Sequence, residues 1–182
     1  MSLSKERHTK ISKSLSYWLR HKPEDIGIVL DNDGWTDVST LIEKAKIKLY
    51  FDFNELKEVV KNCDKQRFAL SEDFTRIKAN QGHTAEVDIK FKKTVPPVVL
   101  YHGTVKEFLD SIKKKGLIPG KRHHVHLSKD KETAEKVGSR RGKPVILEVD
   151  CKKMLEDGCE FFISDNGVYL VDIVEPKYIK NL

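Results

Sequence analysis

Gln66-Arg-Phe-Ala-Leu-Ser71 and Thr75-Arg-Ile-Lys-Ala79 read as two short strands around Glu72-Asp-Phe74, and the order of what precedes them decides the fold of the first half. Upstream, Ile11, Leu15, Trp18 and Leu19 recur at one face of a 3.6-residue period, so 5–20 reads as an amphipathic helix that Pro23 stops. A short apolar run at 26–30 and the turn Asp31-Asn-Asp-Gly34 follow. Trp35-Thr-Asp-Val-Ser39 leads into a second helix carrying Val38, Leu41, Ile42 and Ala45. Asp52-Phe-Asn-Glu55 has capping-box spacing and opens a third, with Phe53, Leu56, Val59 and Val60 on one face. Three helices followed by a hairpin describe a winged-helix arrangement, which often binds nucleic acid and also serves as a plain packing module.

Downstream the character changes. Asn80-Gln-Gly-His-Thr84 and Lys92-Lys-Thr-Val-Pro-Pro97 flank a strand-like Glu86-Val-Asp-Ile-Lys-Phe91, so 81–97 reads as an interlobe connection. Val98-Val-Leu-Tyr101 begins the second half as a buried strand. Thr104-Val-Lys-Glu107 repeats the capping-box pattern and predicts a helix from there to about Gly116. Strands are expected at 124–128 and 145–149, with a short helix at 130–137 between them. Asp165-Asn-Gly167 predicts a hairpin joining 161–164 to 168–171. The expectation is an α+β protein: a winged-helix-like lobe over 1–80, the connection over 81–97, and a mixed-sheet lobe over 98–182.

Composition bounds the function. The chain has 182 residues, with 34 Lys and Arg against 28 Asp and Glu, a net charge of +6 and a pI of about 9.1. That bias permits an anionic partner without demanding one. No run reaches the ~20 apolar residues of a membrane span, and Met1-Ser-Leu-Ser-Lys-Glu-Arg7 has no apolar core of a secretion signal. Three cysteines without a C-x-x-C pair argue against a disulfide framework and a structural zinc site. A cytoplasmic monomer with no membrane partner is expected.

Familiar catalytic motifs are missing: no G-x-G-x-x-G, no P-loop, no G-x-S-x-G and no H-E-x-x-H. His124 and His126 would share one face of a strand, but no third ligand stands at a diagnostic spacing, so no metal is expected. Three basic clusters remain: Leu19-Arg-His-Lys-Pro23, Lys65-Gln-Arg67 and Ser139-Arg-Arg-Gly-Lys-Pro144. The first is equally what a helix dipole attracts to its C-terminal turn; the other two are equally solvated surface. Tyr101-His-Gly-Thr104 ends an apolar strand, where a glycine suits either close approach to a ligand or a tight strand-to-helix turn.

Taken in order, Leu15-Ser-Tyr-Trp-Leu-Arg-His-Lys-Pro23, Asp33-Gly-Trp35, Arg67-Phe68, Ala79-Asn-Gln-Gly-His83, Tyr101-His-Gly-Thr104, His124-Val-His-Leu-Ser128, Val137-Gly-Ser-Arg-Arg-Gly-Lys-Pro144 and Asn166-Gly-Val168 resemble the RNA 2′-phosphotransferase (tRNA 2′-phosphotransferase) family along nearly the whole chain. The resemblance implies an N-terminal winged-helix-like lobe that holds RNA and a C-terminal NAD-binding lobe like that of ADP-ribosyltransferases, which uses NAD without a Rossmann glycine motif. It implies removal of an internal RNA 2′-phosphate, as at tRNA splice junctions, through an ADP-ribosylated phosphate intermediate. The products are 2′-OH RNA, nicotinamide and ADP-ribose 1″,2″-cyclic phosphate.

By motif matching, the resemblance makes Arg20, His21, Arg67 and Arg140 catalytic. His102, Gly103, Thr104, Ser128 and Gly138 would line the NAD site, and Lys22, Lys78 and His83 would meet RNA. The chemistry suits this set. Guanidiniums grip a phosphate through bidentate, charge-assisted hydrogen bonds, and only His21 has an ordinary pKa near working pH, about 6.5. Lys78 stands where the family favours Arg, a less directional phosphate contact. Arg140 is preferred to its neighbour Arg141 by the Val-Gly-x-Arg frame. His83 is divided between an RNA contact and a structural turn. Two other readings are an ADP-ribosyltransferase that stops after the first step and a non-catalytic RNA-binding module.

Overall fold

The structure, a computed structural model, describes residues 3–85 and 91–182. The strand-like stretch at 86–90 therefore lies outside the described residues. The chain forms two compact units, Met1–Lys90 and Phe91–Leu182.

In the first unit, α1 (Lys5–Arg20) starts at Ser4, whose side chain accepts from the Arg7 N–H. Its apolar face buries Ile11, Leu15, Trp18 and Leu19. A 3₁₀ turn, Pro23–Asp25, follows directly. Asp31 folds the next turn by accepting from the N–H groups of Asp33 and Trp35, with Gly34 supplying the positive φ of 79°. β1 (Trp35–Asp37) then runs into α2 (Val38–Ala45), capped by Asp37. At α3 (Phe53–Lys61) both halves of the expected capping box are present: Asp52 accepts from the Glu55 N–H, and Glu55 from the Asp52 N–H. β2 (Phe68–Leu70) and β3 (Arg76–Ala79) form the expected hairpin. β1 adds to the other side of β3, giving a three-stranded antiparallel sheet β1-β3-β2. Its inner face presents Thr36, Ile77, Ala79 and Phe68 to the core, where they join Leu41, Phe51, Leu56 and Val59.

The second unit begins with β4 (Lys92–Thr94) and β5 (Val99–Val105), then a 3₁₀ turn, Lys106–Phe108, and α4 (Leu109–Lys115). β6 (Val125–Leu127), α5 (Lys131–Gly138) and a 3₁₀ turn, Ser139–Arg141, lead to β7 (Pro144–Asp150) and α6 (Cys151–Glu156). β8 (Phe161–Ile163) and β9 (Tyr169–Val171) pair around the expected Asn-Gly turn. β10 (Ile179–Lys180) closes the chain. The strands make two small sheets, β10-β7-β5 and β4-β8-β9-β6. Every pairing among the described residues is antiparallel, where a mixed sheet was expected. A bridge between Tyr101 and Ser128 ties the two sheets together. Leu100, Leu127, Leu147, Met154 and Phe161 fill the core between them.

Two further expectations are corrected. β4, inside the stretch read as a connection, pairs with β8. The second capping-box pattern caps nothing: Thr104 lies inside β5 paired with Val145, and neither helical turn after Val105 has a side-chain cap. The strand's seven-residue ladder with β7 outweighs the roughly 1 kcal/mol that a cap contributes.

Candidate functional site

In the first unit, three of the four expected catalytic residues lie around one short segment, 80–85. Arg20 is the last residue of α1 and is buried, unusually for an arginine. Its Nη2 donates to the Arg67 carbonyl at 3.5 Å, and its own carbonyl accepts from the N–H groups of Thr84 and Ala85 at 2.8 and 3.0 Å. His21 ends the helix, donating its N–H to the Tyr17 carbonyl at 2.9 Å, and its ring Nδ1 lies 2.9 Å from Thr84 Oγ1. The last turn of α1 thus delivers two adjacent side chains and is itself fixed by the segment it meets.

Arg67 enters β2 from a turn with stored strain: Gln66 has φ +41°, a conformation costly for a residue with a Cβ. Three bonds hold that turn. Gln66 donates its N–H to the Cys63 carbonyl at 2.8 Å. Asn80 Nδ2 donates to the Gln66 carbonyl at 2.6 Å, and the Asn80 N–H to the Arg67 carbonyl at 2.9 Å. The Cys63 thiol accepts from both the Arg67 N–H and Nη1, at 3.5 and 3.4 Å. Of the expected RNA contacts, Lys22 is exposed and paired with Glu24 at 3.0 Å. Lys78, on the outer face of β3, sits 5.0 Å from the centre of the Trp35 ring. His83 is buried, within the segment that locks α1 to β2.

In the second unit, the expected NAD-site residues fall into two groups. His102, Gly103 and Thr104 sit mid-strand in β5, not at its end. His102 is partly buried and its Nδ1 lies 3.1 Å from the His126 carbonyl. A carbonyl only accepts, so Nδ1 carries the proton. Burial, partly offset by that bond, holds the imidazole's pKa below its ordinary value and keeps it neutral. Ser128 exchanges main-chain bonds with Tyr101 at 2.8 and 2.9 Å, which brings it beside the same strand.

Gly103 and Gly138 have another duty. A Cβ on Gly103 would lie 1.8 Å from the Ala134 carbonyl oxygen, and one on Gly138 would lie 3.0 Å from the Thr104 oxygen. α5 rests directly on the backbone of β5 at these two positions. The strand-to-helix turn considered from the sequence does not account for Gly103, which lies inside β5; helix-on-strand contact requires a glycine there. The same contact leads the chain from α5 into the turn that carries Arg140 and Arg141, both exposed. Arg141 lies over the Phe108 ring at 5.5 Å. Arg122 was not singled out in the sequence, where it reads as one more basic loop residue. Its Nη1 lies 3.2 Å from His126 Nδ1.

The histidines considered for a metal are otherwise occupied. His124 packs edge-on against Phe91 and beside Phe162, and burial holds its pKa low, with Asp172 opposing and His123 adding to the effect. No group of three potential ligands occurs among the described residues. Nor is any described helix long and apolar enough to cross a membrane.

Residues 6–173 match the model of the family described as RNA 2′-phosphotransferase, Tpt1 / KptA family. The chain belongs to the RNA 2′-phosphotransferase family. It is similar to a "Probable RNA 2′-phosphotransferase" of Burkholderia pseudomallei, 53% identical over 94% of each chain. The similarly named protein of Flavobacterium johnsoniae is 54% identical over 93% of this chain and 94% of its own, and that of Nostoc punctiforme 48% over 99% and 100%. Membership in the family makes this an enzyme that acts on the 2′-phosphate of RNA, and the match spans both units.

Proposed function

We propose that the chain removes an internal RNA 2′-phosphate with NAD as acceptor, tRNA being the natural RNA, and that it works as a cytoplasmic monomer. On this reading the first unit is a winged-helix-like lobe that holds RNA, and the second an ADP-ribosyltransferase-like lobe that holds NAD. The observation that carries the reading is the assembly of Arg20, His21 and Arg67 around residues 80–85 within a family named for 2′-phosphate transfer.

NAD supplies an anomeric carbon with a good leaving group, so nicotinamide departs and ADP-ribose 1″,2″-cyclic phosphate is the second product. The groups along β5 fit such a ligand: a neutral imidazole at His102 and hydroxyls at Thr104 and Ser128 suit amide and ribose partners.

The chain's own residues then have distinct tasks. Arg20 and Arg67 neutralise a phosphate that is nearly a dianion at neutral pH and steady the charge on its oxygens as bonds change. Arginine stays protonated and cannot shuttle protons. His21 can: with Nδ1 engaged by Thr84, Nε2 contacts the phosphate and protonates the departing RNA 2′-oxygen. Arg140 orients the ribose hydroxyl that attacks phosphorus. Lys22, Lys78 and His83 contact the RNA. The experiment is to mix the protein, NAD and a 2′-phosphorylated oligonucleotide and identify the products. Free 2′-OH RNA with cyclic ADP-ribose phosphate supports the reading. ADP-ribosylated RNA alone identifies an enzyme that stops after the first step.

A further inference from the structure

Along its outer side α1 carries a stripe of side chains that runs to His21. Lys10, Lys13 and Tyr17 are exposed at i, i+3 and i+7, and His21 follows one turn after Tyr17. These positions share one side of a 3.6-residue period, opposite the face that buries Ile11, Leu15 and Leu19. The main chain fixes the end of the stripe. The Tyr17 carbonyl accepts from the His21 N–H at 2.9 Å and from the Lys22 N–H at 3.0 Å. From Lys10 to His21 the helix rises about 16 Å, enough to span a few nucleotides of an RNA strand.

The make-up of the stripe sets it apart from an ordinary solvated face. Lysines on other helices find a nearby glutamate: Lys136 pairs with Glu132 at 2.7 Å, Lys152 with Glu156 at 4.0 Å, and Lys46 with Glu43. Among the described residues no carboxylate pairs with Lys10 or Lys13. Glu6 stands four residues before Lys10, the spacing that favours such a pair, and does not form it. Two positive charges are thus left for an anion from outside. Tyr17 is 45% exposed. An exposed ring alone signals little, but this one stands between the two lysines and His21. Cations that meet phosphates, alternating with a ring that stacks on a base, are how proteins hold a single nucleic-acid strand.

We propose that this stripe of α1 holds the RNA strand next to the 2′-phosphorylated nucleotide. Tyr17 stacks on the neighbouring base, and Lys13 and Lys10 meet the phosphates beyond it. This assigns the RNA to one surface of the first unit, and it rests on the placing of the 2′-phosphate at Arg20 and His21 given above.

The test uses the full chain, NAD and an oligonucleotide with one internal 2′-phosphate and several nucleotides on either side. Wild-type turnover is measured first; its absence overturns the underlying reading. Given turnover, Tyr17→Ala raises the KM for RNA about fivefold or more, the size of a lost base stack, relative to the KM for NAD. Alanine suits a helix, so Tm controls for folding. Tyr17→Phe keeps the ring and recovers most of the loss. Removing the neighbouring base, by an abasic residue on one side of the 2′-phosphate, raises the KM in wild type and adds little in Tyr17→Ala. The double variant Lys10→Ala/Lys13→Ala flattens the salt dependence of the RNA KM, by up to about 0.7 in log–log slope per lost charge. An RNA KM at the wild-type level in Tyr17→Ala, in an enzyme that turns over, overturns this inference whatever the lysines do and leaves the broader reading standing. So does a Tyr17→Phe enzyme as impaired as Tyr17→Ala.

Discussion

The backbone of Ala134 lies so close to Gly103 that a Cβ there would stand 1.8 Å from the Ala134 carbonyl oxygen. The neighbouring contact of Gly138 with Thr104 repeats the arrangement one turn on. α5 is seated on β5 by the absence of two side chains, and the position of the Ser139–Arg141 turn follows from that seating.

Gly103→Ala must push α5 off the strand. Overpacking of this kind costs about 1–3 kcal/mol, and a clash with main chain belongs at or above the upper end. Urea unfolding measures it. Stability equal to wild type contradicts the contact, and Ser substitution behaves like Ala.

The His21–Thr84 contact at 2.9 Å predicts a graded loss of activity. His21→Ala removes the proposed proton donor, and on that proposal kcat falls by about 10²- to 10⁴-fold. Thr84→Val leaves the imidazole but frees it to rotate, so it costs about tenfold or more in kcat, with the KM for NAD little changed. Steady-state rates on a 2′-phosphorylated oligonucleotide decide the matter; a His21→Ala enzyme at wild-type rate removes His21 from the mechanism.

The first unit offers a stability control away from the chemistry. Asp52→Ala breaks one half of the capping box on α3 and lowers stability by about 1 kcal/mol. Glu55 keeps its two bonds to Arg7, at 2.8 and 2.9 Å, so α3 stays joined to α1. Turnover at 25 °C is unchanged.

The burial of His102 and His124 makes stability depend on pH. Both imidazoles have pKa values below the ordinary one in the folded chain, chiefly through burial. Unfolding returns each to about 6.5. The unfolded chain therefore takes up protons that the folded chain refuses, so stability is intact above about pH 6.5 and is lost as the pH falls through the folded values. His102→Asn keeps a donor for the His126 carbonyl and does not titrate. Unfolding free energy measured from pH 7.5 down to 5 falls less steeply for that variant than for wild type.

How much of this is legible in the sequence varies with the kind of signal. The helices of the first unit and the two hairpins announce themselves, because apolar period, caps and turn residues agree with one another. β5 is half legible. Val99 and Leu100 read as strand, but His102-Gly-Thr104 carries no apolar alternation, and Thr104 with Glu107 imitates a cap. What makes those residues strand is the β7 ladder and α5 on top of it, both contributed by distant parts of the chain. Motif matching nominates Arg20, His21 and Arg67. It gives no hint that Thr84, Asn80 and Cys63 hold them, since no residue pattern marks those contacts before the chain is folded. Arg122 is invisible for the same reason: only its meeting with His126 sets it apart from the other basic loop residues.

The central claim is that this chain carries a 2′-phosphate from RNA to NAD-derived ADP-ribose, and the direct measurement is product analysis with a defined oligonucleotide bearing one radiolabelled internal 2′-phosphate. The label should leave the RNA only when NAD is present and appear in ADP-ribose 1″,2″-cyclic phosphate, with one nicotinamide released per phosphate. Release of the label as inorganic phosphate, or at the same rate without NAD, would contradict the account.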